Sequence, residues 1–220
     1  MKYGGNVNNQ NYIISEDSSS FVNLEDIISN IIIDMKYYSS YNFVGEKIDG
    51  YLDNCALLTS YAASYLNDAC NHFLKDGYKI KVLDAYRPYK ALLHFKRWVN
   101  RDDNKMKDMF YKDLSKKELI EKDYISLLSS HTRGSTVDIT LVDIKTNEEI
   151  DMGCNFDNFG DIAHYYYKNL TKKQLDNRKY LRNVMKMHNF MPLNNEWWHF
   201  TLNNEPYKNT YFNFPVEKLR

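Results

Sequence analysis

The chain lacks an excess of either charge: among its 220 residues, 29 Lys and Arg side chains balance 29 Asp and Glu, and the formal net charge is zero. That balance advertises neither a nucleic acid nor an anionic membrane as partner. Cysteine is scarce. Cys55, Cys70 and Cys154 make an odd number with no Cys-x-x-Cys spacing, which argues against a disulfide framework and against a thiolate metal cage. Cys55 and Cys70 fall in an apolar helical pattern and read as small core residues. Long hydrophobic runs are missing too, and a burst such as Ile31-Ile32-Ile33 is far short of a membrane span. The opening MKYGGNVNNQ has no apolar h-region and no cleavage site, so no secretory signal is expected and the cytoplasm is the default location.

What is present is an ordinary globular composition, 43% hydrophobic and 26% charged, at a length that suits one compact domain. Residues 1–22, rich in Asn, Ser and Gly, read as a loose arm, and residues 23–220 as the folded domain. Ile31–Tyr37 reads as a β-branched strand. From about Asn54 to Leu74, apolar residues recur at helical spacing, and Gly77 supplies the stop. Ile80–Ala85 is expected as a buried strand broken by Tyr86-Arg87-Pro88, with a second helix from Tyr89 to about Asn100. Residues 101–128 contain no Gly or Pro, are highly charged, and read as surface helices without chemistry. Residues 135–143 read as a strand. A helix over about Lys172–Asn189 begins on a capping-box spacing, Thr171 to Gln174. Met191–Asn195 is expected as a turn and Trp197–Leu202 as a last core strand. Helices and strands do not alternate as in a doubly wound sheet, so the expected fold is α+β, a single domain with a central antiparallel sheet and flanking helices.

Of six histidines, His72, His94, His164 and His188 read as packing or surface residues. His131 and His199 differ because of their company. Asp138 follows His131 by seven residues, an odd separation that sends side chains to opposite faces of an unbroken strand. Gly134 permits a turn between them, after which the two side chains converge. His199 closes Glu196-Trp197-Trp198-His199, with Glu196 expected in the turn and His199 on the strand. Two imidazoles and one carboxylate make a three-ligand zinc site with the fourth position open, whereas calcium would want more carboxylates. Glu196 is then the natural general base, taking a proton from an attacking water that zinc acidifies. Arg87 is placed to meet a developing oxyanion. The bland alternative stands beside this: a strand whose tryptophans fill the core, with Glu196 and His199 solvated at its ends.

Taken together, these segments resemble the D-Ala-D-Ala dipeptidases, the VanX-like branch of the zinc D,D-peptidases, with their Hedgehog/D,D-peptidase-like fold. The family's YRP, SxHxxGxAxD and EWWH motifs stand here, in order, as Tyr86-Arg87-Pro88, Ser129 to Asp138, and Glu196 to His199. One position departs, Thr136 replacing the usual alanine. The family's DxKYxxxxNF segment is matched by Asp34 to Phe43, MGxxFD by Met152 to Asp157, and the closing segment by Glu205 to Val216. The resemblance implies one zinc per chain on His131, Asp138 and His199, with Glu196 as base and Arg87 as transition-state stabiliser. It also implies that Tyr37, Ser129 and Asp157 line the pocket for a small dipeptide, with Asp157 and Tyr37 as acceptors for its ammonium. The implied reaction is hydrolysis of D-Ala-D-Ala, in glycopeptide resistance or wall turnover. Two other readings of the same motifs are a D,D-carboxypeptidase for longer wall precursors and a zinc-containing binding module without activity.

Overall fold

The computed structural model describes residues 3–7, 10–122, 124–126 and 128–220. In chain order the strands and α-helices are β1 (Tyr3–Val7), β2 (Gln10–Ser15), β3 (Phe21–Asn23), α1 (Leu24–Ile27), β4 (Ile32–Ile33), β5 (Leu57–Thr59), α2 (Ser60–Lys75), β6 (Tyr78–Asp84), α3 (Tyr89–Val99), α4 (Lys107–Phe110), α5 (Lys116–Glu121), β7 (Thr136–Asp143), α6 (Lys172–Met187), β8 (Phe190–Pro192), β9 (His199–Leu202) and β10 (Thr210–Phe212). The α+β class holds. The central sheet has the order β4-β6-β7-β9-β8. Its pairs are antiparallel except at the edge, where β4 runs parallel to β6. From Thr136 to Val142, β7 is buried at every residue, so this strand carries side chains into a covered layer on both faces. The helix α2 packs against β6, α6 packs against β8, and the two helices touch.

Several boundaries differ from the sequence expectation, each for a local reason. The strand expected over Ile31–Tyr37 shrinks to Ile32–Ile33. Asp34 N still reaches Val82 O, but Met35 N is taken by the Asn54 side chain at 2.9 Å, and the chain turns into a 3-10 helix over Lys36–Tyr38. The helix expected from Asn54 starts at Ser60, because Thr59 accepts from Ala62 N as N-cap while Leu57–Thr59 pairs with β3. The capping box at Thr171 and Gln174 is present. Met191–Asn195, expected as a turn, contributes its first two residues to β8.

The stretch 1–22, expected as a loose arm, forms strands over much of its described part, with residues 1, 2, 8 and 9 outside the described residues. Gln10–Ser15 pairs parallel with β10, and Phe21–Asn23 pairs with β5. Phe21 is buried against Tyr86, Phe212 and Phe214, with ring centroids 4.8 to 5.0 Å apart. Composition alone hid these pairings, because their partners lie far away in the chain.

Candidate active site

Directly paired residues on neighbouring strands share a face. Asp138 on β7 stands opposite His199 on β9 and opposite Asp84 on β6, so three consecutive strands project Asp84, Asp138 and His199 in one row. The row depends on a bulge in β6. Val82 pairs with Ile139, and the register then shifts so that Asp84, rather than Leu83, meets Asp138. An extra residue of this kind re-aims a side chain at the end of a strand.

His131 arrives from the 3-10 helix Ser130–Arg133, whose first turn is capped by the Ser129 hydroxyl accepting from His131 N at 3.3 Å. That helix ends on Gly134 at φ 76°, and a Cβ there would overlap the Phe21 ring. Glycine is therefore required twice over, by backbone conformation and by space. His131 Nδ1 lies 2.7 Å from the Ala85 carbonyl, which fixes the proton on Nδ1 and turns the Nε2 lone pair toward Asp138 and His199.

The three inward atoms form a triangle. His131 Nε2 is 3.2 Å from His199 Nδ1 and 3.2 Å from Asp138 Oδ2, and His199 Nδ1 is 3.2 Å from Asp138 Oδ1. Ligands about 2.0 Å from a tetrahedral zinc ion stand roughly 3.3 Å apart, so the triangle has the size of one face of that tetrahedron. Asp138 Oδ1 is buried and accepts no hydrogen bond from the described residues, the state of an oxygen that awaits a cation. Among the described residues this is the one group of three His, Cys, Asp or Glu with ligand atoms so close together. The residues present fit zinc.

Glu196 precedes the strand and brings its Oε2 to 3.5 Å from His199 Nδ1. Burial raises its pKa to about 7; the neighbouring His199 opposes this and Asp138 adds to it. Burial lowers His131. At His199 burial acts in the same direction, but the adjacent Asp138 carboxylate outweighs it, with Glu196 adding, and the pKa rises. Arg87 lies on the other side. Its Nε donates to Asp84 Oδ2 at 2.9 Å, its Nη2 stands 3.8 Å from Asp138 Oδ2, and its guanidinium lies 4.9 Å above the Tyr37 ring.

The whole arrangement opens on a cavity of about 370 Å³, at the small end of ligand sites. The same cavity is lined by Tyr37, Ser129 and Asp157. Tyr37 donates its hydroxyl proton to Asp157 Oδ2 at 2.8 Å.

A family model described as D-ala-D-ala dipeptidase matches residues 17–217. The D-alanyl-D-alanine dipeptidase of Enterococcus faecalis is 38% identical over 90% of this chain and 98% of its own length. That of Enterococcus faecium is 35% identical over 90% and 98%, and that of Streptomyces coelicolor 33% over 90% and 99%. The chain belongs to the D-Ala-D-Ala dipeptidase family.

In this dipeptidase-family chain all eight residues singled out from the sequence line the one cavity. Three contributors had no motif to announce them. Asp84 and Tyr51 are buried behind Arg87, with the Tyr51 hydroxyl donating to Asp84 Oδ1 at 2.7 Å. Tyr124 comes from the stretch expected to carry no chemistry, yet it lines the cavity and its hydroxyl meets His164 Nε2 at 2.8 Å. The turn at Gly153 is capped by Asp151, whose Oδ1 accepts from Gly153 N at 2.8 Å, so Asp157 is left to face the cavity. Asp157 itself holds φ 58°, a left-handed conformation that Asp tolerates better than most residues. Its burial, together with the charges of Asp138 and Glu196, pushes its carboxyl well above the usual range.

Proposed function

We propose that this protein is a zinc-dependent dipeptidase that hydrolyses D-Ala-D-Ala to two D-alanines, with one zinc on His131, Asp138 and His199. The observation that carries the reading is the 3.2 Å triangle of ligand atoms with the Glu196 carboxylate beside it in a small cavity. Bound zinc supplies Lewis-acid polarisation of the peptide carbonyl and acidifies a water. Glu196 takes the proton of the attacking water as the oxygen–carbon bond forms, then delivers it to the leaving amine as the carbon–nitrogen bond breaks. The Arg87 guanidinium, held by Asp84, donates to the oxyanion that develops on the carbonyl. Asp157 and Tyr37 receive the ammonium of the free dipeptide, and Ser129 completes the wall and holds the turn that presents His131.

The named activities of the relatives support the substrate, and the cavity is of a size to hold a dipeptide. Retention of both Glu196 and Arg87 speaks for catalysis over mere binding. The three cysteines are free, in keeping with a reducing, cytoplasmic setting. No helix among the described residues is long and apolar enough to cross a membrane. The test is D-alanine release from D-Ala-D-Ala with and without a chelator, alongside a pentapeptide precursor. Chelator-insensitive or absent release overturns the zinc dipeptidase reading, and faster turnover of the pentapeptide favours a carboxypeptidase.

A further inference from the structure

A second pair of imidazoles meets in a concavity that shares no lining residue with the cavity around Asp138. His72, in the last turn of α2, and His188, at the C-terminal cap of α6, approach with His72 Nδ1 3.2 Å from His188 Nε2. Their ring centroids are 5.4 Å apart and their planes cross at 86°. The His131–His199 pair has the same 3.2 Å nitrogen separation, centroids 4.9 Å apart and planes at 74°. Two nitrogens of one tetrahedral ion stand roughly this far apart.

The surroundings of His72 repeat a second feature of a ligand histidine. Asp76 Oδ2 faces its outer Nε2 at 3.7 Å, and Asp76 is itself held by the Tyr180 hydroxyl at 2.6 Å. At that distance the carboxylate does not hydrogen-bond the ring, but its charge favours the proton on the outer nitrogen, which leaves the inner lone pair for a metal. Asp68 lies four residues before His72 on the same helix, hence on the same side. It is exposed, lines the same concavity as both imidazoles, and acts electrostatically on His188.

We propose that His72 and His188, with Asp68 as third ligand, form a second and weaker site for a divalent transition-metal ion such as zinc, bridging the ends of α2 and α6. Two imidazoles and one carboxylate select zinc and its neighbours over calcium or magnesium. The site is weaker than the first because only two ligand atoms are already together, and Asp68 must turn to join them. Lys75 also borders the concavity and opposes a cation there.

Equilibrium dialysis of the zinc-loaded protein against micromolar free zinc tests this. The wild type takes up one equivalent beyond that bound at His131, Asp138 and His199. His72→Ala and His188→Ala each lose that equivalent and keep dipeptidase activity, which also shows that they fold. Asp76→Asn weakens the uptake about tenfold. His199→Ala keeps the uptake at the new site, so the outcome is independent of the catalytic assignment. Added zinc raises the melting temperature of the wild type and not of His72→Gln. A wild type that takes up no further zinc, or a His188→Ala variant that still does, overturns the proposal. In that case the imidazoles are a hydrogen-bonded clasp between helices, and the variants lose melting temperature alone.

Discussion

Asp84 and Asp138 face each other across β6 and β7, two buried carboxylates brought into register by the bulge after Val82. Like charges directly opposite one another on a sheet are unfavourable. Arg87 sits against both, with Nη2 2.8 Å from Asp84 and 3.8 Å from Asp138. Tyr51 donates a further hydrogen bond to Asp84. Asp84 thus serves as the anchor of Arg87, while Asp138 remains free to meet a cation.

Asp84→Asn tests that anchoring role. The amide keeps the shape but removes the charge that holds the guanidinium. We expect kcat on D-Ala-D-Ala to fall about 10²-fold, as small misplacements at a reacting centre do, with a smaller change in KM and an unchanged metal content. Melting temperature should also drop, since a buried charge loses its partner. A lowered melting temperature with unaltered kcat would make Asp84 purely structural.

His131→Ala and His199→Ala should each lose the high-affinity zinc, because two remaining ligands are too few for a tight site. Metal analysis after dialysis against a mild chelator, which strips weak sites, reads this directly. Wild-type content in both variants would place the metal elsewhere.

Much of this site was legible in the sequence because its residues cluster in short motifs. Gly134 between His131 and Asp138 signals a turn, and the turn is there at φ 76°. Trp197 and Trp198 do fill the core, as the bland reading of Glu196 to His199 required, yet Glu196 and His199 turn into the cavity rather than to solvent. The bulge in β6 was not legible, because one added residue leaves no mark in the apolar pattern of Ile80–Ala85. Nor was the role of Thr59, whose strand pairing depends on Phe21, 38 residues before it in the chain. Tyr124 stayed hidden because its neighbours are charged and helix-prone, and only the tertiary contact with His164 gives it a place.

Glu196→Gln should keep the fold and the zinc but lose hydrolysis by about 10³-fold, within the range typical of general acid–base groups. The amide occupies the same volume and cannot accept the water's proton. Single-turnover D-alanine release on metal-replete protein gives the answer. Retention of most activity would mean that another base operates.

Gly134→Ala should be among the most damaging small substitutions in the chain. The left-handed conformation costs about 1–3 kcal/mol for a residue with a Cβ, and the added methyl overlaps the Phe21 ring. Because Gly134 also ends the turn that presents His131, zinc affinity should fall along with stability. Chemical denaturation and zinc titration together check this, and a variant of wild-type stability would show that the Phe21 ring yields freely.

Asp157→Ala separates ammonium binding from turn formation. The carboxylate is buried, among the described residues it accepts a side-chain hydrogen bond from the Tyr37 hydroxyl alone, and the turn at Gly153 is capped by Asp151. A buried ammonium is costly unless a carboxylate meets it. Zinc repels the same ammonium, so the counter-charge must lie across the cavity from the metal, with Asp138 given to the ion and Glu196 to the water. Asp157→Ala should therefore cut turnover of D-Ala-D-Ala steeply, by about 10²-fold or more if the lost pair resembles other buried charge pairs. The penalty for N-acetyl-D-Ala-D-Ala relative to the free dipeptide should shrink in the same variant, because the acetylated substrate brings no charge for Asp157 to meet. The left-handed φ of 58° at this position makes a general loss of stability the rival explanation. Asp157→Asn resolves the two, since Asn tolerates that conformation and keeps a hydrogen-bond acceptor but carries no charge. An Asn variant with wild-type melting temperature and a collapsed preference for the free dipeptide supports the ammonium contact. Equal fractional losses on both substrates, with a lowered melting temperature, would assign Asp157 to the backbone.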